Sequence, residues 1–185
     1  MGYRMVLSRF LRWRGEDYVR KAVVLYLIYR LRELGVPVTE KKLQKLMFIV
    51  SYIDRNGYFE KREVRALFDD YRIAWHGVFS GRLRDILNRL SSEGLVLIER
   101  DETATDIALT EKGARKARDL AMDLDRYLRE KIDYVVDRYG ALTGDELEEL
   151  INEWLGISGA EAGSIKALLF GTRIEDLIEV ASSIE

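Results

Sequence analysis

The 185-residue chain has no cysteine, one histidine (His76), one proline (Pro37) and four side-chain amides, Gln44, Asn56, Asn88 and Asn152. Without cysteine there are no disulfides, thiolate metal sites or cysteine nucleophiles. A single histidine excludes a multi-histidine metal centre within one chain. Long apolar runs are missing too. The longest, Ala22 to Tyr29, falls far short of the ~20 residues that span a bilayer. There is no glycine-rich phosphate loop, nucleophile elbow or paired metal-ligand motif. The expectation is therefore a protein that is not an enzyme, carries no cofactor or metal, makes no membrane contact and works in the cytoplasm.

What is present describes a folded chain. Hydrophobic residues make up 48% and charged residues 34%, which excludes a disordered or low-complexity sequence. Abundant charge with few thermolabile amides is a thermophile pattern. The net charge of -2 conceals an asymmetry. Residues 1–50 carry eleven Lys/Arg against four Asp/Glu, residues 51–100 nine against eight, and residues 101–185 ten against twenty. A basic front and an acidic back fit a chain that meets an anionic partner with one side. They fit equally well two halves that attract each other inside the fold or across a dimer.

Residues 1–15 form a basic arm, with Arg4, Arg9, Arg12 and Arg14 interleaved with aromatic and aliphatic residues. No apolar core of signal-peptide length follows, so a secretion signal is not expected. Helical periodicity then covers residues 16–34, where Val19, Val23, Tyr26, Leu27, Leu31 and Leu34 recur and Gly35 supplies a stop. The segment is apolar nearly all round and belongs at the centre of a core. Thr39 caps a second helix over 40–56, and a short helix over 60–69 turns Val64, Leu67 and Phe68 inward. Residues 71–75 alternate as a short strand. Ser80 caps a helix to about residue 93, and strands over 95–100 and 105–109 form a hairpin. Thr110 caps a helix reading to residue 139, roughly 40 Å long. Three Ser/Thr-x-x-Glu spacings, Thr143 with Glu146, Ser158 with Glu161 and Thr172 with Glu175, predict capping boxes for helices near 145–155, 159–169 and 173–183. The predicted organisation is an arm (1–15), a main domain ending in the long helix (16–140) and a helical acidic tail (141–185).

Helix, helix, short strand, helix and hairpin is the order of a winged helix-turn-helix. Three motifs sharpen it. Lys42-Leu43-Gln44-Lys45-Leu46-Met47-Phe48 resembles the K-L-Q-K-L-L-Y run of Panacea-type antitoxin domains and their winged-helix relatives. Ala74-Trp75-His76-Gly77 resembles their A-W-x-H-G-P-V run, with Val78 where the family has proline. Leu109-Thr110-Glu111-Lys112-Gly113 resembles the L-T-x-x-G that closes many wings. The resemblance covers about residues 38–115 and implies a regulator or antitoxin-like protein. The fold expected is mainly α, a winged helix-turn-helix core with a small β-hairpin wing, an N-terminal helix and a helical C-terminal extension.

Two functions follow. As a DNA-binding transcriptional regulator, the chain would hold phosphates of double-stranded DNA with Lys41, Lys42 and Lys45. These lie in the first turns of a helix, where ammonium groups oppose the helix dipole and a purely structural design would prefer acids. Helix 81–93 would read bases with Arg82, Asn88 and Arg89, with Arg84 flanking on the same DNA-binding helix, since arginine matches guanine and asparagine matches adenine in the major groove. Arg100 is the one cation of the wing, where Glu99, Asp101, Glu102 and Asp106 would repel a phosphate backbone. That acidic wing favours the alternative, an antitoxin-like protein-interaction module that masks a partner protein. A homodimer is expected through the long helix, with Leu124, Leu128, Ile132 and Val135 on its apolar stripe. A Ser80–His76–Asp70 triad can be drawn, but no oxyanion-hole signature accompanies it, and a turn histidine with a structural role is expected.

Overall fold

The computed structural model describes residues 15–60 and 67–182. Among them it places eight helices and two two-stranded antiparallel sheets, so the chain is mainly helical. The expected arm and most of the expected helix 60–69, including Val64, lie outside the described residues.

Helix α1 (Glu16–Glu33) is the central rod. Residues 22–28 are all buried, so no face is left for solvent and other helices must surround it. Helices from both halves of the chain pack on it. Glu16 and Asp17 in its first turn and Arg30 and Arg32 in its last complement the dipole. Helix α2 (Glu40–Tyr52) starts where the Thr39 side chain accepts from the Lys42 N–H at 3.1 Å. It ends four residues short of the expected residue 56. There the Asp54 carboxylate accepts from the backbone N–H of Asn56 and Tyr58, and this local turn competes with the helix.

The expected strand over 71–75 is one half of a tight hairpin. Strand β1 (Arg72–Ala74) pairs with β2 (Gly77–Phe79), with Trp75 and His76 at the turn. Ser80 then caps α3 (Gly81–Ser92), which buries Leu83, Ile86, Leu87 and Leu90. Strands β3 (Val96–Arg100) and β4 (Thr105–Leu109) form a second hairpin. The segment between α1 and α2 joins it: the Ile107 N–H donates to the Val38 carbonyl at 2.9 Å, and Thr39 bridges to Asp106. Thr110 caps α4 (Glu111–Asp123). The glycine of the L-T-x-x-G run has a steric reason, because a Cβ at Gly113 would run into the Leu95 carbonyl.

The expected 40 Å helix does not exist as one piece. Leu124 is extended (ψ 141°), and the Asp125 side chain accepts from the Tyr127 N–H at 2.9 Å to start α5 (Arg126–Tyr139). The break turns the second half onto the body. Leu124, Leu128, Ile132 and Val135, expected at a dimer interface, are buried within the single chain, and α5 packs on α1 and α2. An apolar stripe on a broken helix is satisfied by its own domain.

The tail is α6 (Gly144–Trp154), α7 (Ala162–Leu168) and α8 (Ile174–Ser182). It shares the main core through Leu147, Ile151, Ile157 and Ile174. Helix α6 lies on α2 and β2. Residues 171–174 pair with β1: Ile73 N–H donates to the Thr172 carbonyl at 3.0 Å, and Gly171 and Ile174 N–H groups donate to the carbonyls of Ile73 and Tyr71. Of the expected capping boxes, Thr143 with Glu146 is present in full. Ser158 caps nothing, since α7 begins at Ala162 and has no side-chain cap. Thr172 is drawn into pairing with β1, and α8 starts two residues later. We expect Thr143→Ala to lower stability by about 1 kcal/mol by leaving a helix N–H unpaired, and Ser158→Ala to leave the calorimetric melting curve unchanged.

Candidate interaction surfaces

The K-L-Q-K run faces inward. The Gln44 side-chain amide clasps the backbone of Ser80, donating from Nε2 to its carbonyl at 3.0 Å and accepting from its N–H at 2.9 Å. Lys45 is 3% exposed, and its Nζ donates to the carbonyls of His76 and of Val78, the latter at 2.9 Å. Gly77 makes room for it: a Cβ there would stand 3.1 Å from Lys45 Cε, and the residue's φ is +80°. The two motifs are thus halves of one contact, in which α2 holds the β1–β2 hairpin. Burial pushes the Lys45 ammonium down to about 8.

Lys42 is also buried, 5% exposed, and burial lowers its pKa although Glu146 opposes the shift. Lys41 binds Asp145 and Glu148 of α6. Burial alone would lower its pKa, but the two carboxylates hold it above the ordinary lysine range. Glu148 also binds Lys166 and stays below the ordinary carboxylate range, despite the opposing effect of burial. The lysine cluster expected to hold DNA phosphates is covered by α6 and β2. Lys41 pairs with the acidic tail, and Lys45 is taken up by the hairpin carbonyls.

On α3 the guanidiniums expected to read bases are held by acids of the same chain. Arg82 binds Asp69, Arg84 binds Glu40 at 2.7 Å and lies 4.6 Å above the Phe79 ring, and Arg89 binds Asp17. Arg89 in turn keeps the Asp17 carboxyl below its ordinary value. Asn88 is exposed. An open polar cleft of about 440 Å³ between α1 and α3 is lined by Asp17, Asp70, Arg82, Asp85 and Arg89, more acid than base. In the β3–β4 hairpin, Glu99 stands opposite Asp106 and Arg100 opposite Thr105, all but Thr105 exposed. Asp101 closes the turn by accepting from the N–H groups of Thr103 and Ala104.

The triad residues do not form a relay. Ser80 Oγ donates to Asp70 Oδ1 at 2.6 Å, and Asp70 Oδ2 accepts from the Arg82 N–H. Both side chains serve the start of α3. His76 contributes its carbonyl to Lys45 and leaves its ring exposed. Among the described residues no cluster of three or more His, Asp or Glu could hold a metal ion, and no helix is long and apolar enough to cross a membrane.

Two surfaces escaped the sequence reading. At the hairpin tip Trp75, 65% exposed, packs its ring 4.7 Å from that of Phe170, 48% exposed, and Leu168 nearby in sequence is 84% exposed. Pairing of residues 171–174 with β1 brings the two rings together, and Arg72 donates to the Gly171 carbonyl beside them at 2.9 Å. The second surface is the outer face of α4, with Lys112, Arg115, Lys116 and Arg118 exposed. Its signal, four cations in seven residues, is visible in the sequence. Phe170 carries no such signal, because only the fold shows what it meets. Comparison with protein-family models, curated proteins and solved structures finds no match to this chain.

The buried Lys45 makes stability depend on pH in a definite sense. In the unfolded chain its pKa returns to about 10.4. Between about 8 and that value the unfolded chain holds a proton that the folded chain has lost, so stability rises with pH there. Relative to Lys45→Met, which does not titrate, the wild type should gain up to about 1.4 kcal/mol per pH unit from pH 8 to 10. Denaturant titrations of both proteins across that range are the test.

Proposed function

We propose that this chain is a winged-helix protein-interaction module that binds and masks a partner protein, as the resemblance to antitoxin domains implies, and not a sequence-reading DNA regulator. The winged-helix assignment is supported by order and pairing. Helix α1, the Val38–Thr39 segment, α2, α3 and the β3–β4 hairpin follow one another, and Val38–Thr39 pairs with β4. The β1–β2 hairpin between α2 and α3 is an insertion in that order.

The observation that carries the functional reading is the exposed Trp75–Phe170 pair. Two aromatic rings in tilted contact, Trp75 at the hairpin turn and Phe170 between α7 and α8, with Leu168 beside Phe170 in sequence, form an apolar patch that stays exposed among the described residues. Such patches mark protein contact surfaces, and tryptophan is among the residues most enriched at their energetic centres. Against base reading stand the three arginines of α3, all paired with acids, and the acidic wing.

A quantitative pull-down from the native host compares wild type with a Trp75→Ser, Phe170→Ser variant and with Arg89→Ala. We expect at least one abundant protein to be lost with the aromatic variant and kept with Arg89→Ala. The aromatic change should cost about 2 kcal/mol or more of binding, about a thirtyfold loss. Selection from random duplex DNA should enrich no sequence. Enrichment of a defined site that Arg89→Ala abolishes would reverse the assignment.

A further inference from the structure

Most surface cations of α1, α2 and α3 are spent inside the chain. Lys21 binds Glu93, Arg30 binds Asp133, Arg32 binds Glu111 and Lys41 binds Asp145, besides the three arginines of α3. Helix α4 is different. Lys112, Arg115, Lys116 and Arg118 are all exposed. Lys112 donates to the Glu93 carbonyl at 2.7 Å, and none of the four has a carboxylate within ion-pair distance among the described residues. Helical spacing places Lys112, Arg115 and Lys116 together, with Arg118 flanking. The acids of α4 are three, Glu111, already held by Arg32, Asp119, and Asp123, which accepts from Tyr18. Beyond the end of α4, Arg129 donates to the Ala121 carbonyl at 3.3 Å.

Tyr18 Oη donates to Asp123 Oδ2 at 2.9 Å, so the first turn of α1 lies against the last turn of α4. The sequence before Gly15 carries Arg4, Arg9, Arg12 and Arg14 and no acid.

We propose that the outer face of α4 docks on the phosphate backbone of double-stranded DNA without reading bases. A duplex presents one negative charge per about 1.7 Å of axis, and a line of unpaired cations on a helix is its electrostatic complement. A lipid surface is a poorer fit, because interfacial helices bury a broad apolar face, and the large apolar side chain exposed on α4 is Met122 alone. A peptide would need apolar pockets for its side chains, and this face is a row of charged ones. The surface belongs to different elements from the Trp75–Phe170 patch, so the two sites operate independently. A module anchored to DNA by α4 would present its aromatic patch to a partner at the chromosome.

Fluorescence anisotropy of the full chain with a labelled mixed-sequence duplex, at about 50 and 200 mM salt, tests this. The wild type should bind at the lower salt and weaken steeply at the higher. Replacing Arg115, Lys116 and Arg118 together by alanine should weaken binding at least about tenfold and lower the salt slope by roughly one for each contact removed. Arg82→Ala with Arg89→Ala should bind as the wild type does. Circular dichroism checks folding. If the triple variant does not fold, Lys116→Ala alone should lower the slope by about one. No binding by the wild type, an α4 variant that binds normally, or equal losses from the α3 and α4 variants would each overturn the proposal.

Discussion

The β1–β2 hairpin is held by two adjacent side chains of α2. Gln44 satisfies both backbone groups of Ser80, and Lys45 carries two hairpin carbonyls on a buried amine. Ser80 is also the cap of α3, so the same contact fixes where that helix begins. The hairpin then offers β1 as an edge on which residues 171–174 pair, and that pairing sets the position of the tail and of Phe170 against Trp75. A buried ammonium is costly unless its protons are accepted. The arrangement therefore ties the hairpin, α3 and the tail to one polar contact.

The charge asymmetry of the sequence has an internal use. Lysines and arginines of the first 50 residues meet acids of the last 85 across the fold, in Arg30–Asp133, Arg32–Glu111, Lys41–Asp145 and Lys41–Glu148. Exposed pairs of this kind contribute little individually at ordinary temperature, but networks of them gain weight as temperature rises. What matters for function is the remainder. Among the described residues, four exposed cations without an ion pair share α4, and two exposed rings, Trp75 and Phe170, meet each other.

The positions that looked most functional are structural, and the reason is geometric. Three lysines in the first turns of a helix oppose its dipole, which favours an anion nearby. The anion turned out to be the chain's own tail, Asp145 and Glu148 on α6, brought in from about 100 residues away. Likewise the apolar stripe from Leu124 onward called for a partner surface, and the partner is α1 of the same chain. The sequence does contain the cause of that folding back, in Asp125, a residue that caps a new helix as readily as it continues an old one.

By itself the sequence determined the local chemistry. Thr39, Ser80, Thr110 and Thr143 start helices because a hydroxyl meets an N–H three residues on. The apolar girth of α1 made it the core. The alternation around residues 96–109 made a hairpin, and the paired motifs around Gln44 and Gly77 marked a contact. Tertiary structure alone decided which charges stay free, which apolar stripe is covered and which aromatics remain exposed. Many of those depend on pairings between residues far apart in the chain, such as Arg30 with Asp133 and Lys41 with Asp145, and neither hydrophobic period nor capping pattern carries information over that distance.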